Sequence, residues 1–289
     1  MGINVYEIVT ERIIAELEKG IVPWRKPWIG GEYAWSRQTG KPYSLLNSLL
    51  LPLQGEYATY KQIVADGGAV NKGAKAKIVT FWSWIESKTE VDRNGNPVKI
   101  PFLKYYNVFH IETDTNLNVR HNKTRANNNN PIECAEKIIN DYVEASGVGF
   151  HKDNASAKAF YSPILDSVTI PHITQYDNIA EYYSTAFHEL VHSTGHSSRL
   201  NRDLKNGFGT EKYSKEELIA EIGAATILNS LGIENDESFQ NSASYIGGWL
   251  RKLHDDKRLI VSASSKAEKA VRYINGEREI KTEEAKEVA

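Results

Sequence analysis

Several things that other protein classes depend on are scarce or missing in this chain. Cys134 is the one cysteine among 289 residues, so neither an intrachain disulfide nor a cysteine-ligated zinc site can form. No apolar stretch approaches the roughly 20 residues of a membrane-spanning helix, and the N-terminus lacks the charge and apolar pattern of a secretory signal. A soluble cytoplasmic protein with no membrane partner is therefore expected. The basic loop Lys72-Gly-Ala-Lys-Ala-Lys77 lacks the spaced glycines and terminal Gly-Lys-Ser/Thr of a P-loop. No internal repeat is visible.

Net charge is also scarce, at -2, but it is unevenly spread. Residues 1–130 hold 17 Lys and Arg against 12 Asp and Glu, whereas residues 131–289 hold 18 against 25. Between the two halves runs His121-Asn-Lys-Thr-Arg-Ala-Asn-Asn-Asn-Asn-Pro131, polar and without apolar periodicity. This break predicts two domains, 1–125 and 126–289.

The second half contains His188-Glu-Leu-Val-His192. On a helix the two histidines sit one turn apart on one face and can grip one metal ion, with Glu189 beside them as a general base. A helix is expected here. Asp177 or Asn178 can cap it, Ala180, Tyr183, Phe187, Leu190 and Val191 form an apolar stripe, and Gly195 supplies a stop. His196 then lies just past the helix end, a second choice as ligand.

A catalytic zinc site needs a third protein ligand and leaves a fourth position open. The segment Ser214-Lys-Glu-Glu-Leu-Ile-Ala-Glu-Ile-Gly-Ala-Ala225 is the best supplier, a helix whose Gly223, Ala224 and Ala225 permit close packing on another helix. Glu217 and Glu221 are one turn apart. One can bind the ion while the other holds a histidine in its correct tautomer, and Glu217 ranks first as ligand. Against it stands capping-box spacing between Ser214 and Glu217, which would commit that carboxylate to the helix start. Upstream, Tyr161–Pro171 contains a β-branched run closed by proline and reads as an edge strand, open to pairing with an extended peptide.

The first half is distinguished by tryptophan. Trp24, Trp28, Trp35, Trp82 and Trp84 are five of the six in the chain, interleaved with Arg25, Lys26, Arg37 and Lys41 and followed by Lys72, Lys75 and Lys77. Rings beside cations suit single-stranded DNA, since bases stack on the rings while cations neutralise phosphates. The competing reading is core, because Trp82 and Trp84 alternate with Phe81, Ser83 and Ile85 in a strand with at least one buried face. Strands are expected at Lys77–Ile85 and Ile100–Ile111, with Asn94-Gly95 as the turn between them. Residues 3–20 form an amphipathic helix with Val5, Val9, Ile13 and Leu17 on one stripe and Gly20 as its stop, expected to pack on its own domain.

Taken together, these motifs resemble the ArdC-type antirestriction proteins of conjugative plasmids and related mobile elements. The resemblance spans Pro23-Trp24-Arg25-Lys26-Pro27-Trp28, Thr39-Gly40-Lys41-Pro42-Tyr43 with Asn47, Tyr60-Lys61-Gln62, and Tyr106-Asn-Val-Phe109. It continues through Tyr182-Tyr183, His188-Glu-Leu-Val-His192, Thr194-Gly-His196, Arg199-Leu-Asn-Arg202 and Glu216-Glu-Leu-Ile-Ala-Glu221. Tyr57 and Ser193 stand where the family often carries tryptophan.

The resemblance implies an α+β chain of two domains. The first is a mixed α/β single-stranded-DNA-binding domain; the second is a zincin-like metallopeptidase domain with the His-Glu-x-x-His helix and a small edge-stranded sheet. It further implies protection of incoming DNA from host restriction during conjugation, with transfer to the recipient cell and a restriction-system protein as peptidase substrate. His188, His192 and Glu217 would hold Zn²⁺, and Glu189 would move the proton. Tyr182, Tyr183 and His196 are candidate oxyanion helpers. Trp24, Arg25, Lys26, Trp28, Trp35, Lys41, Tyr43, Asn47, Lys61, Lys72, Lys75 and Lys77 are the candidate DNA contacts. Two rival readings are a DNA-binding shield with a non-catalytic metal centre, and a peptidase whose first domain binds protein.

Overall fold

The computed structural model describes residues 4–25, 34–93, 95–121, 131–153, 158–176, 178–204, 211–233 and 243–277. The chain divides into two compact units, residues 1–9, 33–122 and 280–289 in the first and residues 10–32 and 123–279 in the second. Helix α1 (Val5–Glu18) begins in the first grouping and continues in the second. Its stripe is as the periodicity predicts, with Val9, Ile13 and Leu17 buried, and Gly20 ends it at φ +80°. Most of the helix belongs to the second unit, contrary to the expectation that it packs on the first. The Thr10 hydroxyl donates to the Lys257 carbonyl at 2.7 Å, and the 3₁₀ turn Pro23–Arg25 packs on a later helix of the second unit.

The first unit is built on a four-stranded sheet. In chain order come β1 (Ala34–Ser36), α2 (Leu45–Leu50), β2 (Gly55–Thr59), α3 (Tyr60–Ala65), β3 (Lys77–Val91), β4 (Pro97–His110) and α4 (Ile111–Asp114). The strand order is β1-β2-β4-β3, with β1 parallel to β2 and the other pairs antiparallel. Alternation along β2 feeds both faces. Tyr57 enters a cluster with Ala34, Leu51, Val79 and Val108, while Ala58 joins Ile63 and Ile111. Thr59 and Gln62 close a capping box at the start of α3. The β3–β4 hairpin is longer than expected. Its outer pairs, Glu86 opposite Lys99 and Val91 opposite Pro97, are exposed, so buried apolar alternation could not reveal them. Asn94 lies outside the described residues, and Gly95 takes φ +82° in the turn.

The second unit places helices against a three-stranded sheet. Its elements are α5 (Pro131–Ser146), β5 (Gly149–Asp153), β6 (Phe160–Ser162), β7 (Ser167–Pro171), α6 (Ile179–Ser193), α7 (Glu211–Leu231), α8 (Ala243–Asp255) and α9 (Leu259–Ile274). The sheet order is β5-β7-β6. The β-branched run expected at an edge is therefore the central strand, and the edges are β5 and β6. Pro171 is tolerated because it closes the strand, where the missing N–H costs no interior ladder bond. Among the described residues no helix is long and apolar enough to cross a membrane.

Candidate metal centre and aromatic surface

Helix α6 starts where Asn178 accepts the Glu181 amide at 2.8 Å, and it lies on β6 and β7. Its inner face buries Tyr183, Ala186, Phe187, Leu190 and Val191, leaving His188 and His192 on the flank toward α7. Helix α7 crosses there because Gly223 has no side chain. A Cβ at that position would lie 2.8 Å from Val191 Cγ2. The helix begins at Glu211, so Ser214 sits inside it and the capping-box reading of Glu217 does not hold.

This crossing brings three donors together. His188, His192 and Glu217 offer ligand atoms that all lie within 4.8 Å of one another, one such group among the described residues. The two Nε2 atoms are 3.1 Å apart, and the Glu217 oxygens lie 3.6 Å from His188 Nε2 and 3.5 Å from His192 Nε2. Four-coordinate zinc with bonds of about 2.0–2.2 Å gives tetrahedral ligand edges of about 3.3–3.6 Å. The donor set, two imidazoles and a carboxylate, thus fits a divalent cation in kind and in spacing. Burial disfavours a charged His188, but the hydrogen bond to Glu217 and the fields of Glu221, Glu189 and Glu217 outweigh it and push its pKa up to about 9. Such a negative environment favours any cation.

Glu216, next to Glu217 in sequence, faces the other side of His192, with its Oε1 3.2 Å from Nδ1. Sequence reasoning assigned a supporting carboxylate but chose between Glu217 and Glu221. Consecutive residues on a helix point about 100° apart, so Glu216 and Glu217 can flank one ring where i,i+4 residues share a face. Burial opposes its ionisation, yet hydrogen bonds from His192 and Arg202 hold the Glu216 carboxyl below the usual range. Glu221 contributes charge near His188 but is not in the donor group. Glu189 is buried on α6.

Two of the three candidate oxyanion helpers bond other groups, while the buried Tyr182 hydroxyl makes no hydrogen bond among the described residues. The Tyr183 hydroxyl donates to Glu136 at 3.1 Å, and Tyr182 is fully buried, edge-on to Tyr176 and Tyr183 with Lys152 Nζ 5.7 Å from its ring. His196 pairs with Ser198 at 2.8 Å and stays outside the donor group. Ser193 is fully buried and bonds Tyr142 at 2.8 Å.

The tryptophans divide differently from the sequence-based assignment. Trp24 is buried in the second unit, 6.0 Å from Trp249 and edge-on to it, and Trp35 is buried in β1. Asn47 is also interior. Its amide donates to the Thr80 carbonyl at 2.8 Å and accepts the Thr80 N–H at 2.7 Å, which pins α2 to β3. Tyr43 packs half-buried on the core, Tyr57 is fully buried, and Lys77 is bound to Asp114 at 2.6 Å. Lys26, Trp28 and the Arg25 side chain lie outside the described residues. Lys41, Lys61, Lys72 and Lys75 are exposed. So are Trp82, at 42%, and Trp84, at 50%, which two-residue spacing puts on one face of β3. Their exposure goes against the competing core reading, since alternation alone cannot say which sheet face is covered.

Two family models match the chain, Zincin-like metallopeptidase over residues 137–266 and N-terminal domain of anti-restriction factor ArdC over residues 3–109. Among solved structures, the Mn(II)-bound antirestriction ArdC protein from the R388 plasmid superposes with a TM-score of 0.74 at 32% identity, covering 96% of this chain and 99% of that one. The metal-free form of that protein gives a TM-score of 0.71 at 34% identity. Among curated relatives, a DNA primase TraC of Escherichia coli is 35% identical over 93% of this chain, which spans 20% of that protein's length. A second TraC of the same species, also 35% identical, is matched over 27% of its length.

Proposed function

The chain belongs to the ArdC-type antirestriction family, and from that premise we propose that it binds single-stranded DNA with its first unit and hydrolyses peptide bonds at a zinc centre in its second. The observation that carries the proposal is the convergence of His188, His192 and Glu217, with Glu189 next to His188 on the same helix. Three protein donors leave a fourth position of a tetrahedron free, as a catalytic site requires and a closed structural site does not. The relative with Mn(II) supports a divalent ion in the same fold. When bound, zinc supplies Lewis acidity that polarises a carbonyl and acidifies water. Glu189 takes the proton from the attacking water and delivers it to the leaving amine. Edge strand β6 is the strand that an extended peptide would extend.

The DNA surface in this reading is the exposed ladder of β3, with Trp82 and Trp84 as stacking rings and the exposed lysines as phosphate contacts. The biological role follows the family: shielding DNA that enters a recipient cell by conjugation, with a host restriction-system protein as the peptidase substrate. Replacement of Glu189 by Gln tests the chemistry. The variant is expected to retain zinc by metal analysis and to cleave nothing in a protein-substrate screen in which wild type is active. Undiminished cleavage by Glu189→Gln sinks the mechanism.

A further inference from the structure

The Arg199-Leu-Asn-Arg202 segment has no part in the chemistry proposed so far, yet its two arginines grip the end of the metal helix. Arg199 Nε donates to the Ser193 carbonyl at 2.8 Å, and its guanidinium forks onto Asp166 in the β6–β7 turn. Arg202 Nη2 donates to the Val191 carbonyl and Nη1 to Thr194 Oγ1, both at 2.7 Å. The same guanidinium holds Glu216 through Nη2 at 2.7 Å and Nε at 3.0 Å. These carbonyls belong to the last turn of α6, where helical partners run out. The loop that carries the arginines is itself folded back: Leu200, Asn201 and Arg202 donate their amides to Thr194, His196 and Gly195, with Asn201 at φ +48°. Gly195 leaves room for this approach, since a Cβ there would lie 3.1 Å from Arg202 Nη2.

We propose that Arg202 is a positioning residue of the metal centre, acting through Glu216 to keep the His192 proton on Nδ1, so that Nε2 stays bare and faces His188 and Glu217. An ionised carboxylate can only accept, so a ring nitrogen 3.2 Å from it must donate. The inference rests on the metal-site reading above. It differs from a purely structural role, in which Arg202 and Glu216 are simply a buried ion pair, side chains 5% and 11% exposed, joining loop to helix. Arg199 with Asp166 supplies the comparison, being a similar arginine fork on the same helix end that touches no metal donor.

The test is Zn²⁺ affinity of the full chain, measured by competition with a chromophoric chelator, alongside the melting midpoint of the metal-free protein. Glu216→Gln and Arg202→Lys are each expected to weaken Zn²⁺ binding about 10- to 100-fold, the usual effect of removing a partner of a ligand histidine. Arg199→Lys is expected to lower the midpoint and leave Zn²⁺ affinity at the wild-type value. Wild-type affinity in Glu216→Gln, or an equal loss in Arg199→Lys, overturns the proposal. Failure of the unmodified chain to bind Zn²⁺ overturns the metal-site reading instead. Should the variants not fold, ¹⁵N-histidine spectra of the unmodified, zinc-loaded protein decide: a proton on His192 Nδ1 supports the proposal, and a bare Nδ1 overturns it.

Discussion

The donor group of the second unit and the aromatic face of the first were inferred from the same string of letters, yet they differ in how closely residue types dictate position. His188 and His192 are four residues apart on one helix, so their relation is fixed by local geometry once the helix forms. Trp82 and Trp84 are two apart on a strand, which fixes that they share a face but not whether the face is covered. The lesson is that a short-range constellation carries its own geometry, whereas a surface is a property of everything packed around it.

The sharpest way to break the comparison is at the one donor that is not local. Glu217→Ala is expected to weaken zinc binding by more than about 100-fold, because loss of a ligand exceeds loss of a ligand's partner. Glu221→Ala is expected to stay within about tenfold of wild type, since that carboxylate lends charge near His188 without joining the donor group. Chelator competition on both variants checks this. A reversed order would mean that α7 presents a different face to α6 than the Val191–Gly223 contact requires.

The aromatic surface is tested next. In full-length protein, Trp82→Ala and Trp84→Ala are each expected to weaken binding of a single-stranded oligonucleotide by about 1–3 kcal/mol, roughly 5- to 150-fold, per stacked base. Trp24→Ala is expected to leave that affinity unchanged while lowering stability by about 3–5 kcal/mol, the usual cost of truncating a buried tryptophan. Fluorescence anisotropy and chemical denaturation separate the two effects. A loss of DNA affinity in Trp24→Ala that denaturation does not explain would return that ring to the DNA surface.

Much of the second unit was legible because its signals are periodic. The α6 stripe, the Asn178 cap and the small residues of α7 each describe one helix and one contact. Gly223→Ala is expected to cost about 1–3 kcal/mol of stability by forcing α7 off Val191. A substitution tolerated without loss would mean that the crossing is looser than the 2.8 Å approach indicates. Glu216 was not legible. Its role depends on the angle at which α7 meets His192 and on Arg202 folding back from a loop, both products of tertiary packing. Nor was the centrality of β7, because strand order follows from which segments pair and not from the run of β-branched residues alone. In the first unit Asn47 and Lys77 looked like contacts for a partner. Each is consumed internally, by Thr80 and by Asp114, and only the approach of α2 and α4 to β3 reveals it.

The smallest expected effect separates the units by pH. Acid should weaken both. In the first unit Arg37 holds the Asp66 carboxyl below its ordinary value, and Lys77 and the His110 amide lower that of Asp114 against the effect of burial. In the second, Arg199 lowers Asp166. A depressed carboxyl stabilises the fold above its ordinary pKa of 3.8 and loses that contribution as pH falls through the folded value. The alkaline side differs. His188 is raised from 6.5 to about 9, so its protonated form stabilises the metal-free second unit fully below about pH 6.5, and the contribution vanishes as pH climbs through about 9. A bound divalent ion takes the place of that proton, since a ligating histidine must be neutral. The melting midpoint of chelator-treated protein is therefore expected to fall between pH 6.5 and 9, and added zinc is expected to remove the slope. An identical slope with and without zinc would place the alkaline sensitivity outside the donor group, and with it the charge balance that distinguishes this crossing from the exposed ladder of β3.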